Sequence, residues 1–169
     1  MTIEKGKIDG PDAHASSASA PALWPATIDR PRADICIVGL GPGPLEAMTL
    51  AAWRALTTAP RLVLRTARHP CVAALPEPVT YTTFDALYEQ HATFAAVYAE
   101  ITQQVVALGQ AGADQEAGGV VYAVPGHPWV GEATTPLILD AAAATGLSTA
   151  VVDGLSFVEP CFAAVGVDL

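Results

Sequence analysis

Residues 35–46 run an unbroken apolar segment, Ile35 to Val38, into a loop of alternating glycine and proline and then into a helical pattern. A strand that ends this way places a crevice at its carboxyl end, where open α/β sheets hold their ligands. Residues 120–132 repeat the design: the apolar Val120, Val121 and Val124 lead into Pro125, Gly126, Pro128 and Gly131. Two such loops can meet over one sheet edge.

Around these loops the chain alternates strands and helices. Residues 35–38 read as the first strand, and residues 45–57 as its helix, with Leu45, Met48, Ala52 and Leu56 on one face. A second strand is expected at 61–65, a short helical turn at 70–75, and an edge strand at 79–81 kept short by Pro76 and Pro78. The stripe Leu87, His91, Phe94, Tyr98, Ile101, Val105 and Leu108 predicts one long helix, followed by a loose acidic loop over 109–119. His91 reads as a packed or bordering residue of that stripe. A central strand at 120–124, a helix at 129–144, a strand at 148–152 and a helix at 155–165 complete the order. This is an α/β pattern, an open and mainly parallel five-stranded sheet with helices on both faces.

With 169 residues, one domain with a sizeable core is expected. Residues 1–31, rich in Ala, Ser, Pro and Asp, read as a flexible leader with His14 solvated and Trp24 as its one large apolar group. Residues 32–169 form the α/β unit.

Although 51% of the residues are hydrophobic, no apolar run approaches the ~18 to 20 residues of a membrane span. The opening residues lack the apolar core of a secretory signal, so a cytoplasmic protein is expected. A formal charge of −9 argues against nucleic acid or an anionic membrane as partner. Cys36, Cys71 and Cys161 are odd in number and form no metal-type pair, so no metal is expected. Cys36 and Cys161 read as small core residues, and Cys71 as partly exposed near the sheet edge.

The first loop presents Gly39, Gly41 and Gly43, but Pro42 and Pro44 each remove an N–H donor from the stretch a phosphate would occupy. No Lys-Ser or Lys-Thr follows, and the second strand ends in Arg65 instead of the acid that would hold a ribose. Arg65, Arg68 and His69 could hold a 2′-phosphate, which keeps an NADP-binding oxidoreductase open, as does a plain turn without a ligand. The second loop favours a ligand, and residues 153–157 repeat the theme, with Ser156 placed to cap the last helix or to touch a ligand.

On these residues the chain resembles the tetrapyrrole methylases, which use S-adenosylmethionine. Gly39-Leu-Gly-Pro-Gly is similar to their opening motif, residues 124–130 to their Gly-Asp-Pro loop, and Gly154-Leu-Ser-Phe to their third cofactor segment. Arg65-Thr66, His69-Pro70, the run 81–85 and the Val-Pro-Gly-His-Pro form resemble the methylase-like domain fused ahead of MazG-type nucleoside triphosphate pyrophosphohydrolases.

The resemblance implies that Leu40 and Pro42 border S-adenosylmethionine, that Gly126, His127 and Val130 hold and pack it, and that Ser156 and Phe157 complete the share of this domain. Arg65, His69 and Glu132 are then the residues expected to face a small-molecule methyl acceptor, with surface ion pairing as the plainer account; no catalytic residue is assigned. Pro44 and His127 stand where the family has Asp, and Arg65 stands where porphyrinogen methylases carry an acidic base, which argues against porphyrinogen chemistry. The resemblance further implies a second α/β domain not seen in this sequence, a homodimer in the full-length form, and a fused or partner pyrophosphohydrolase. Weak cofactor binding with little or no turnover is the matching expectation. A non-catalytic regulatory or dimerising module remains the alternative from another class.

Overall fold

The computed structural model describes residues 31–113 and 119–168. Five strands form one parallel sheet in the order β3-β2-β4-β1-β5: β1 Ile35–Gly39, β2 Leu62–Leu64, β3 Thr82–Thr83, β4 Val120–Val124 and β5 Thr149–Val152. Every residue of β1, β2 and β4 is buried, the signature of strands covered on both faces. Side chains alternate between the faces. Ile35, Ile37, Val120, Tyr122 and Val124 pack with the α3 (Phe94–Ala113) and α4 (Thr134–Ala144) residues Val97, Ile101, Val105 and Ile138. Cys36, Val38, Val121 and Ala123 pack with Ala52, Ala55 and Leu56 of α1 (Leu50–Thr57).

From β1 the chain crosses to β2 on one side, and from β4 it crosses to β5 on the other. The crevice at this reversal lies outside the carboxyl ends of β1 and β4, where their two Gly/Pro loops begin. None of the described helices is long and apolar enough to cross a membrane.

Several boundaries differ from the sequence expectation, each for a local reason. The opening helix is interrupted: residues Leu45–Ala47 form a 3-10 turn, Met48 is extended, and Thr49 caps α1 by accepting from the Ala52 N–H at 3.1 Å. The edge strand lies at Thr82–Thr83, because a turn from Pro76 to Val79 occupies the earlier residues and Phe84 supplies the buried anchor, its ring 6.0 Å from that of Tyr122.

The expected long helix is two. α2, Leu87–Gln90, ends at an extended, half-buried His91, and α3 restarts behind Thr93, whose hydroxyl accepts from the Ala96 N–H. The buried stripe of α3 is Val97, Ile101, Val105, Gly109 and Gly112, so Phe94 stands 67% exposed. α3 also continues through Gly109, where any Cβ would come within 2.6 Å of Ile35, instead of breaking into a loop there. Residues 114–118 of that expected loop, and the leader over 1–30, lie outside the described residues.

α4 begins at Thr134 and not at 129, since Gly131 turns left-handed and the Glu132 carboxylate caps the Thr134 N–H at 2.8 Å. α5, Val158–Val165, starts three residues later than expected and has no buried residue. Cys161 on α5 is therefore exposed, against its reading as a core residue, while Cys71 is buried against its reading as partly exposed.

Candidate functional site

Three loops converge at the carboxyl ends of β4, β1 and β5. A Cβ on Gly39 would lie 2.6 Å from both the Gly126 carbonyl oxygen and the Gly154 nitrogen, and one on Gly154 would lie 2.2 Å from that same oxygen. Only glycine permits this junction. Just outside it Gly41 and Gly126, left-handed at φ 83° and 70°, pair across the loops: Gly41 N–H donates to Gly126 at 3.1 Å, and Gly126 N–H donates back at 2.8 Å.

Three further loop amides are engaged within the protein. Leu40 N–H donates to the Val124 carbonyl at 2.8 Å, Val130 N–H to the His127 carbonyl at 3.0 Å, and Trp129 N–H to His127 Nδ1 at 3.1 Å. Pro42, Pro44, Pro125 and Pro128 have no N–H to offer. The prolines and these engaged amides leave fewer free N–H donors here than a phosphate-binding loop presents.

The residues expected to border a cofactor all lie on these loops. Leu40 is fully buried beneath the first; Pro42, Gly126, His127 and Val130 are half-buried. His127 Nε2 lies 3.6 Å from the Asp153 carboxylate, and the Thr49 hydroxyl donates to the Asp153 carbonyl at 3.1 Å, which ties the β4 loop and the start of α1 to the β5 loop. Ser156 is buried as the cap of α5, accepting from Val158 N–H at 3.0 Å and donating to the Glu159 carboxylate, which that bond holds below its ordinary pKa. Phe157 stands 53% exposed beside Gly131. Within the first turn of α4, at the same sheet edge, the fully buried Thr135 hydroxyl has no hydrogen-bond partner.

A second group of polar residues gathers at the end of β2. Arg65 pairs with Glu132, donates through Nε to the Tyr88 hydroxyl at 2.9 Å and through Nη2 to the Tyr98 hydroxyl at 3.3 Å, and lies over the Tyr98 ring. Burial works against its charge, but Tyr88 and Glu132 outweigh it and hold the guanidinium above its ordinary pKa. Glu132 also accepts from the Thr134 hydroxyl at 2.5 Å, and Thr134 meets the Tyr122 hydroxyl at 3.0 Å, a phenol that burial pushes upward.

With side-chain exposures of 18% for Arg65 and 1% for Glu132, this is an interior pair and not the surface pairing that the sequence left open. The 2′-phosphate expectation loses its main cation here, since every nitrogen of Arg65 is engaged. Beside the pair opens a cleft of about 570 Å³ lined by Arg65, Thr66, Arg68, Asp85, Tyr88, Glu89 and Pro125. The Asp85 carboxylate accepts from the Thr66 hydroxyl at 2.5 Å and the Ala67 N–H at 2.9 Å.

His69, expected to face the acceptor, has both ring nitrogens engaged within the protein. It is buried at 9% exposure, with Nε2 3.0 Å from the Gly41 carbonyl and Nδ1 3.0 Å from Cys71 Sγ. Sequence reasoning also missed Tyr88, Tyr98, Tyr122 and Thr134. They sit on four different elements, so no spacing links them; the one available signal was the helix break that Thr93 introduces between the first two.

A family model described as Tetrapyrrole (Corrin/Porphyrin) Methylases matches residues 34–169. The chain belongs to the tetrapyrrole methylase family. The uncharacterized protein YabN of Bacillus subtilis (strain 168) is 36% identical over 135 residues, covering 79% of this chain and 26% of that protein. A uroporphyrin-III-C-methyltransferase from Thermus thermophilus is similar at TM-score 0.59 and 25% identity, over 80% of this chain and 53% of that one. Diphthine synthase shares the fold at TM-score 0.57 and 16% identity, over 79% of this chain and 49% of that one. The chain spans about half the length of these solved methyltransferases and about a quarter of the curated relative.

Proposed function

We propose that the chain binds S-adenosylmethionine where the loops after β1, β4 and β5 meet, and serves methyl transfer to a small molecule held at the end of β2. The observation that carries this is the Gly39–Gly126–Gly154 junction: backbone packed too tightly for a Cβ on Gly39 or Gly154, at the switch point of a parallel sheet, with the Gly41 and Gly126 amides paired beside it. Such a floor suits a flat nucleoside without phosphate. The orphaned Thr135 hydroxyl at the same edge adds one polar contact for a ligand to satisfy.

In this reading Pro42, Gly126, His127 and Val130 line the slot through backbone and apolar contact, and Phe157, exposed at its rim, covers it. Bound there, the cofactor supplies an electrophilic methyl group, so the protein's main task is to hold an acceptor close and in line. Pro125, which opens the β4 loop, also lines the cleft beside Arg65. Tyr88 and Asp85 offer it hydrogen bonds.

The charges around the cleft bear on the acceptor. Glu132 compensates Arg65, and Arg68 faces Asp85 and Glu89, so no unbalanced positive charge remains for a polycarboxylate. A neutral or weakly cationic polar acceptor fits this balance better. The resemblance of Arg65-Thr66 and His69-Pro70 is what supports a nucleotide pyrophosphohydrolase as a fused or partner protein.

Calorimetric titration with S-adenosylhomocysteine and, separately, NADPH tests the ligand. Heat with the first and none with the second supports the proposal; NADPH alone binding would replace it with the oxidoreductase, and silence from both at millimolar ligand would leave the non-catalytic module.

A further inference from the structure

We propose that His69 is a positioning residue: it clamps the Gly41 carbonyl and so fixes the Gly41–Gly126 seam that forms the floor of the cofactor slot, with Cys71 donating to its other ring nitrogen. The proposal deepens the cofactor assignment above and rests on it for its binding arm alone.

The hydrogen bonds define the protonation state. A carbonyl oxygen only accepts, so His69 Nε2, 3.0 Å from Gly41 O, must carry a proton. Burial lowers the pKa of His69, which keeps the ring neutral and leaves Nδ1 bare. Nδ1 is then an acceptor for the Cys71 thiol 3.0 Å away, and burial pushes that thiol up to about 11, so it retains its hydrogen. Each atom of the relay has one role: Cys71 S–H donates to Nδ1, and Nε2–H donates to Gly41 O.

The Gly41 carbonyl thereby accepts two hydrogen bonds, one from His69 and one from the Gly126 N–H at 2.8 Å. Gly41 sits at φ 83°, where no side chain restrains the loop, so its orientation depends on what grips its peptide groups. The only side chain shown to grip them is His69. It comes from the segment after β2, four residues beyond Arg65, and therefore joins the wall of the acceptor cleft to the floor of the slot.

The test uses the full 169-residue chain. In His69→Ala the Gly126 amide should exchange with solvent roughly 10-fold faster by NMR, as expected for local opening, while the β4 core amide of Val121 is unchanged. Affinity for S-adenosylhomocysteine should fall roughly 10-fold, the effect of one well-placed hydrogen bond to a preorganised site. His69→Gln, whose amide N–H reaches the position of Nε2, should recover most of both. Cys71→Ala removes the thiol donor that steadies the ring at Nδ1 and should cost roughly 2- to 3-fold, within the range of a weak hydrogen bond.

Unchanged Gly126 exchange in His69→Ala would overturn the clamp, as would a His69→Gln variant no better than Ala. If the wild type takes no S-adenosylhomocysteine yet exchange follows the pattern above, the clamp stands and the cofactor assignment falls.

Discussion

Arg65 at the end of β2 and Glu132 before α4, 67 residues apart in sequence, meet as an ion pair whose carboxylate is 1% exposed. Arg65 lines the cleft at the end of β2, and Glu132 also caps Thr134 in the first turn of α4. Removing one partner of such a pair leaves the other charge buried and unmatched. Glu132→Ala should destabilise the chain by about 3 kcal/mol in urea unfolding, near the low end for broken buried pairs because Arg65 keeps some solvent contact. Replacing Arg65 and Glu132 together with methionine should cost less than the sum of the single changes. Additive losses would mean that the pair is not coupled.

The glycine junction makes a sharper contrast. A methyl on Gly154 would press to 2.2 Å from the Gly126 carbonyl oxygen, against backbone that cannot swing away, whereas nothing lies within 4 Å of one on Gly43. Gly154→Ala should destabilise by roughly 2 kcal/mol or more and abolish ligand binding. Gly43→Ala should be neutral or stabilise by up to about 1 kcal/mol, because it restricts the unfolded chain. Thermal melts of the two variants side by side give the comparison.

Asp85 yields a pH prediction. Burial would raise its pKa, but hydrogen bonds from Thr66, Ala67 and Thr83 and the charge of Arg68 prevail and lower it. A carboxylate whose folded pKa is depressed contributes stability above its unfolded value, about 3.9, and that contribution vanishes as pH falls through the folded value. The stability gap between wild type and Asp85→Asn should therefore be constant from pH 7 to 5 and close below about pH 4. A gap that widens toward acid would reverse the sign and contradict the hydrogen-bond assignment.

Thiol chemistry separates the cysteines. Cys36 and Cys71 are buried and Cys161 is exposed, and burial pushes the Cys71 thiol up to about 11. The native chain at pH 8 should take up one equivalent of a thiol reagent rapidly, at Cys161 by peptide mass mapping, with the other two reacting only on unfolding. Fast labelling of Cys71 would show that the His69 segment opens.

The parts of the fold that were legible from sequence were those decided by burial on both faces. β1 and β4 are continuous buried apolar runs that lead into Gly or Pro, and their loops converge as their composition implied. What escaped was decided by single hydrogen bonds or by phase. Thr93 caps α3 and splits one expected helix into two, and the rotation that follows exposes Phe94 while burying Val97. The converging loops could be located because glycine and proline report backbone constraint locally. The Arg65–Tyr88–Tyr98–Glu132 network could not, since its members come from β2's end, α2, α3 and the β4 loop and share no spacing. His69 is legible as a candidate site residue, yet the direction of its ring depends on Gly41, 28 residues earlier.

The central claim is that the loops after β1, β4 and β5 form one slot for a phosphate-free nucleoside cofactor. Amide chemical-shift mapping of the full chain titrated with S-adenosylhomocysteine tests it directly. The largest, saturable shifts should fall together on Gly39, Gly41, Gly126, His127, Gly154 and Phe157, with smaller changes at Arg65 and Tyr88 across the cleft. Shifts centred elsewhere, or no saturable shift at any of these glycines up to millimolar ligand, would contradict it.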